Sequence, residues 1–263
     1  MTSDFVWRME DVLDLYAEPY DPRKPVVCFD ERPYQLLRDK RDPLPMKPGQ
    51  PRREDYEYER AGNCNLFLTF QPLAGWRHVA VTERRTGEDF ARQMKWLVDE
   101  AFPEAEVIRV VLDNLNTHTP AALYQTFPPE EARRLTRKLE LHYTPKHGSW
   151  LNMVEIEFSV LARQCLNRRL PDMERVCWEV KAWEETRNAA RTTMEWRFTT
   201  ADARFKLHRL YPQDHCVVKY YGGWDGAPTG PVMRDPDAYP TTLDGQGQRC
   251  VVFITGTITP TIG

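Results

Sequence analysis

Apolar and polar positions change period several times along this chain, and each change predicts an element. Trp7 to Tyr16 carries helical spacing, so a helix over 7–18 is expected before Pro19, Pro22 and Pro25 interrupt regular structure. Val26-Val27-Cys28-Phe29 is wholly apolar, the pattern of a strand covered on both faces, and it ends in Asp30 and Glu31. Pro33, Pro43, Pro45, Pro48 and Pro51 then predict an irregular loop. Residues 65–70 and 76–81 read as hairpin strands turning through Pro72 to Gly75. Over 88–102, Phe90, Met94, Leu97, Val98 and Ala101 share one helical face. Val107 to Leu112 is a second buried strand, again ending in an acid, Asp113. A helical stretch with Pro128-Pro129 near its middle leads to a short strand over 139–143. Helices over about 149–168 and 172–191 follow, parted by Pro171. The order β, ββ, α, β, α, β, α, α predicts an α/β fold, a mixed sheet flanked by helices.

Three segments are expected: a short helix and linker over 1–25, the principal domain over 26–211, and a tail over 212–263. The 52 tail residues hold 8 of the 13 glycines and 6 of the 21 prolines, a composition that predicts irregular structure. Only Val251 to Thr259 has the apolar content of a strand.

Composition narrows the class. With 263 residues, 41% of them hydrophobic, the chain can bury a core, and no apolar run approaches the length of a membrane span. Met1-Thr2-Ser3-Asp4-Phe5 lacks the basic and apolar regions of a secretion signal. The six cysteines are scattered without a CxxC pair, which fits a reducing, cytoplasmic setting. Net charge is −3, yet the stretch from Glu131 to Leu210 holds 16 Lys and Arg against 11 Asp and Glu. That half reads either as solvated helix faces or as a surface turned toward a polyanion. Trp178 and Trp183 are expected in the core.

The candidate chemistry lies in three carboxylates. Asp30 and Asp113 each close an apolar strand, and in an open α/β sheet that edge is where ligands bind. Helical spacing after Trp150 sorts Leu151, Val154, Phe158, Leu161 and Cys165 onto an apolar stripe. Asn152, Glu155, Ser159 and Arg163 fall on a polar stripe beside it. Glu157 lies about 200° round from Glu155, so the two acids face different surroundings. Three carboxylates at one sheet end repel one another unless a cation neutralises them. Oxygen ligands select Mg²⁺ or Mn²⁺, commonly as two ions roughly 3.5–4 Å apart that serve phosphodiester cleavage.

Val27-Cys28-Phe29-Asp30-Glu31, Val111-Leu112-Asp113-Asn114-Leu115-Asn116-Thr117-His118, Tyr143-Thr144-Pro145 and Ser149-Trp150-Leu151-Asn152-Met153-Val154-Glu155 resemble the three blocks of a DDE transposase. The likeness is to the bacterial insertion-sequence branch of the mariner-like superfamily. Leu44-Pro45-Met46-Lys47-Pro48-Gly49 and Tyr58-Glu59-Arg60 share it, and it extends over residues 5–211. It implies an RNase H-like five-stranded fold in which Asp30 bridges two metal ions and Asp113 and Glu155 each complete one. It also implies double-stranded DNA partners, transposon ends and target, with nucleoid association when bound and a homodimer in the synaptic complex. The implied chemistry is hydrolysis at the transposon end, then in-line attack by the freed 3′-hydroxyl. The pattern departs from the family in three places. The helix-turn-helix region that reads transposon ends is missing ahead of the catalytic domain. The interval from Asp113 to Glu155 is long, with the surplus around Pro128 to Arg134. The tail from about Asp214 has no counterpart.

Other residues take supporting expectations. Asn114, His118 and Asn152 flank the acids, and His118 either plays a structural part or reaches the scissile phosphate. Glu31 points away from Asp30 on a strand and is expected in a salt bridge. Lys146 and His147, in the loop before the Glu155 helix, and Arg163, Arg168 and Arg169, continuing it, are expected at DNA phosphates, as are Lys181, Arg187 and Arg191. Two rivals stand beside the transposase: an inactive, truncated remnant that binds DNA weakly, and a glycosidase using Asp113 and Glu155.

Overall fold

A computed structural model describes residues 3–41, 49 and 56–211. Residues 44–48 of the Leu44–Gly49 motif and the tail beyond Tyr211, with its Val251–Thr259 run, lie outside the described residues.

The five strands are β1 (Val26–Asp39), β2 (Tyr58–Gln71), β3 (Trp76–Thr82), β4 (Ile108–Leu112) and β5 (Leu139–Tyr143), in the sheet order β3-β2-β1-β4-β5. β1, β2 and β3 form an antiparallel meander, while β4 and β5 join β1 in parallel. The mixed sheet expected from the sequence is therefore present.

Two helical layers cover the sheet. On one face, α2 (Gly87–Trp96), α3 (Pro120–Thr126) and α4 (Pro129–Lys138) bury Phe90, Met94, Leu123 and Leu135 against Val27, Phe29, Phe67 and Val110. Thr86 and Asp89 cap α2 reciprocally, which fixes its start. The proline pair splits the stretch before β5 into α3 and α4, because Pro128 cannot continue a helix but suits the residue before one. Arg134 and Lys95 share Asp99 and Glu131 and fasten α4 to the helix beneath it.

The other face carries α1 (Ser3–Ala17), α5 (Val154–Leu161) and α6 (Met173–Ala189), and a short α7 (Thr200–Lys206) packs on α1. Phe5, Met9, Val12, Leu13 and Tyr16 repeat at helical spacing and are buried. Residues 1–25, expected as a short helix and linker, thus contribute a packed element, and the compact unit runs from Met1 to Leu210. The Tyr16 hydroxyl donates to the Leu151 carbonyl at 2.9 Å and lies 3.3 Å from the Cys28 sulfur. Burial pushes the Cys28 thiol up to about 12, so it stays protonated and unreactive.

Two expectations change. β1 does not stop at Asp30; it continues through Pro33 to Asp39, paired with β2 except for a register shift between Gln35 and Leu37. A proline is tolerated because β4 ends at Leu112, leaving one edge of β1 without a partner strand. The helix over 149–168 is also broken. It comprises a 3₁₀ turn at Ser149–Leu151, α5, and a wide π turn at Ala162–Leu166. Arg168 and Arg169 lie beyond it rather than on a continuing helix.

Candidate active site

The parallel register pairs Cys28 of β1 with Val111 of β4. Two residues further along each strand stand Asp30 and Asp113, side by side where β4 ends and β1 runs on. Alternation along β1 puts Asp30 and Arg32 on one face of the sheet and Phe29 and Glu31 on the other. Burial, opposed by the Glu31 amide that donates to Asp30 at 2.8 Å, raises the Asp30 carboxyl to about 7, and the charges of Asp113 and Glu31 add to the rise.

His118 is buried between two acids. Its Nδ1 donates to Asp113 Oδ1 at 2.6 Å, and its Nε2 lies 2.8 Å from Glu31 Oε2. Its ring packs against Phe90, with centroids 4.9 Å apart. Burial alone would lower its pKa, but the bonds to Asp113 and Glu31 prevail and hold it near 9. His118 is therefore a cation that orients Asp113, and the salt bridge expected of Glu31 is made to it. This chain of three groups crosses from β1 to the loop after β4, and no local sequence signal links Glu31 to His118.

Asn152 ties the third acid to the other two. It is buried, and its side-chain amide donates to the Phe29 carbonyl at 3.0 Å, next to Asp30. It stands just before α5, so the polar stripe of the sequence reading is divided. Asn152 faces β1 from a turn, while half-buried Glu155 lies in the first turn of the helix. The apolar stripe is as expected, with Leu151, Val154, Phe158, Leu161 and Cys165 all buried. Glu155 is paired with Arg32, whose guanidinium lies 4.9 Å from the Phe158 ring centroid. Among the described residues, no three His, Cys, Asp or Glu side chains already stand close enough to enclose an ion.

Two residues along α5, Glu157 is completely buried. Arg77 Nε lies 2.8 Å from Glu157 Oε1, and Arg187 Nη2 lies 2.9 Å from the same oxygen. Arg77 also donates to the Gly75 and Thr192 carbonyls at 3.0 and 2.7 Å. Arg187, expected at phosphates, is thus committed to an internal acid. The backbone at Gly75 has φ +65°, and a Cβ there would meet the Arg191 carbonyl carbon at 2.6 Å, so only glycine fits.

The basic residues divide. Lys146 and His147 line a cleft of about 350 Å³ together with Asp113, Asn114 and Ser149. Gly148 shapes that loop, since a Cβ would meet Pro145 Cγ at 2.6 Å. Arg163 and Lys181 are exposed. Arg168 is paired with Glu179, and Arg169 lies 2.6 Å from Asp39; both line a different cleft beside Tyr34. Trp183 is in the core as expected, but Trp178 is 60% exposed and carries Arg175 over its ring at 4.6 Å. Its position on α6 points away from Val176, Val180 and Trp183, the buried side of that helix.

Among described residues, no helix is long and apolar enough to cross a membrane. No curated protein matches the chain. Among solved structures, the Mos1 mariner paired end complex with Mn is similar, with TM-score 0.50, 15% identity, and coverage of 73% of this chain and 58% of that one. The chain therefore spans somewhat over half of that protein's length, and the likeness establishes a shared fold. The catalytic domain of Mos1 mariner transposase also aligns, with TM-score 0.41, 11% identity, and coverage of 74% of this chain and 98% of that one. Residues 25–177 match the DDE superfamily endonuclease family model, a span that takes in all three acids and the strands carrying two of them, and the chain belongs to that family.

Proposed function

We propose that this chain is the catalytic domain of a transposase that cleaves DNA at transposon ends and joins the freed end to target DNA, with Asp30, Asp113 and Glu155 holding two Mg²⁺ or Mn²⁺ ions. The observation that carries this reading is that Asp30 and Asp113 each follow the paired Cys28 and Val111 of neighbouring parallel strands by two residues. The donor set fits such ions: it is all oxygen, and the half-buried Asp30 carboxyl lacks an ion-pair partner among the described residues. When bound, paired divalent ions activate water and stabilise the leaving oxygen of a phosphodiester.

The protein's own groups prepare that chemistry. Asp30, which would help hold the ions, is fixed by the Glu31 amide and by Asn152 on the adjoining carbonyl. His118, held by Glu31, bonds Asp113 and restricts its carboxylate. Lys146 and His147, in the cleft beside Asp113 and Asn114, offer contacts to the phosphodiester backbone. Arg163 adds a phosphate contact on the rim, while Arg168 and Arg169 would do so only by leaving Glu179 and Asp39. The partner is double-stranded DNA, and a homodimer pairs the two transposon ends.

The test is a nicking assay on element-end duplexes with Mg²⁺, Mn²⁺ or chelator. Metal-dependent cleavage that Asp30→Asn abolishes is expected. Metal-bound, folded protein without cleavage would favour the inactive remnant, and cleavage in chelator would refute the metal reading.

A further inference from the structure

The face of β1 that presents Asp30 also presents Arg32, two residues on. Arg32 is partly exposed but is held at one side of the site. Its guanidinium pairs with Glu155 and lies over Phe158, three residues further along α5, so that helix supplies both the acid and the aromatic platform that holds the cation. The site's acids are thus unequally neutralised: Asp113 has His118, Glu155 has Arg32, and Asp30 has no ion-pair partner among the described residues.

We infer that Arg32 is a positioning residue that occupies Glu155 in the metal-free protein and competes with the divalent ions for it. The inference rests on the proposed metal site and extends it. A fixed cation beside an acid cluster lowers the repulsion that α5 meets in packing against β1. The same cation withholds Glu155, so ion binding requires Arg32 to let go. Apparent affinity for the ion is then reduced by the fraction of molecules in which Glu155 is free. Because both side chains are partly exposed, the pairing is modest and readily exchanged. A half-exposed position on β1 also means that Arg32 can be replaced without opening the core.

Mn²⁺ alone is the probe, titrated by calorimetry into the full chain without DNA. Arg32→Ala is expected to bind Mn²⁺ about three- to fivefold more tightly than the wild type, the range set by releasing an exposed ion pair. Its melting temperature in chelator should fall slightly, and its rise on adding Mn²⁺ should be larger. Arg32→Lys, which keeps the charge but loses the planar fork, should lie between. The gain should vanish when Glu155→Gln is added to Arg32→Ala. Unchanged or weaker Mn²⁺ binding by Arg32→Ala overturns the inference, because an arginine that merely supports structure cannot tighten metal binding when removed. Asp30→Asn separates the two levels. If it abolishes Mn²⁺ binding while Arg32→Ala matches the wild type, only the role of Arg32 falls. If Asp30→Asn binds as the wild type does, or the wild type itself binds no Mn²⁺, the acid site is refuted and the inference falls with it.

Discussion

Glu155 and Glu157 stand two residues apart on α5 and have opposite fates. Glu157 is completely buried between Arg77 and Arg187, one acid with two cations. Glu155 is half-buried in the first turn of α5 and pairs with Arg32, and we propose that it shares a metal site with Asp30 and Asp113. Buried charge is tolerated only when matched, and the Glu157 cluster is matched in excess. In the proposed site Asp30 has no ion-pair partner among the described residues, a deficit that a cation from solution would fill. Exposure and the balance of counter-charge both separate the two acids on this helix.

The largest expected effect separates the two clusters by activity. Asp30→Asn, Asp113→Asn and Glu155→Gln should each eliminate metal-dependent cleavage, while melting in chelator stays level or improves for Asp30→Asn, since neutralising one member relieves repulsion. Marked destabilisation by all three would make them structural and dissolve the contrast.

Arg77→Ala should do the reverse. It strips a fully buried partner from Glu157 and should cost about 3–5 kcal/mol in urea unfolding, because an incompletely paired charge stays buried. A loss within the range of exposed ion pairs would show that Arg187 alone suffices.

A smaller effect is expected on DNA. Binding by this chain should be weak, indifferent to sequence and steeply salt-dependent, with a slope of about −0.9 per phosphate neutralised. Lys146→Ala and Arg163→Ala should weaken all duplexes alike and flatten that slope. Arg168→Ala and Arg169→Ala should matter less, because Glu179 and Asp39 already take those charges. A salt titration on an element-end and a scrambled duplex reads both; tight, end-specific binding that survives high salt would contradict the expectation.

The smallest effect is in the pH dependence of stability in chelator, where two acids act with opposite sign. Asp30 is raised by burial to about 7 from 3.8, so the folded state binds its proton first and stability rises as pH falls through that window. Glu131 is held down to about 2 from 4.5 by Arg134 and Lys95; its contribution is present above 4.5 and lost as pH falls toward 2. Asp30→Asn should flatten the first limb and Glu131→Gln the second, both read from denaturant midpoints across pH.

Asp30, Asp113 and the strands that lead to them are legible in the sequence because apolar runs that end in acids are local patterns. The outer reach of β1 is not, since Pro33 argues against a strand until the missing neighbour beyond β4 is known. Periodicity turns Glu157 away from Glu155 but cannot supply its partners, because Arg77 lies 80 residues earlier on an outer strand. Trp178 shows the complementary limit: a large aromatic on α6 invites burial, but its angular position relative to Val176 and Val180 places it outside.

Tyr16 gives the first helix a hereditary consequence. One hydroxyl touches both the strand leading to Asp30 and the carbonyl just ahead of the turn that sets Glu155. A recombination joint between α1 and β1 would part the tyrosine from both and loosen two acids at once. Any recombination that leaves this core intact must therefore splice ahead of α1, and the helix should travel with the sheet as a single unit of descent.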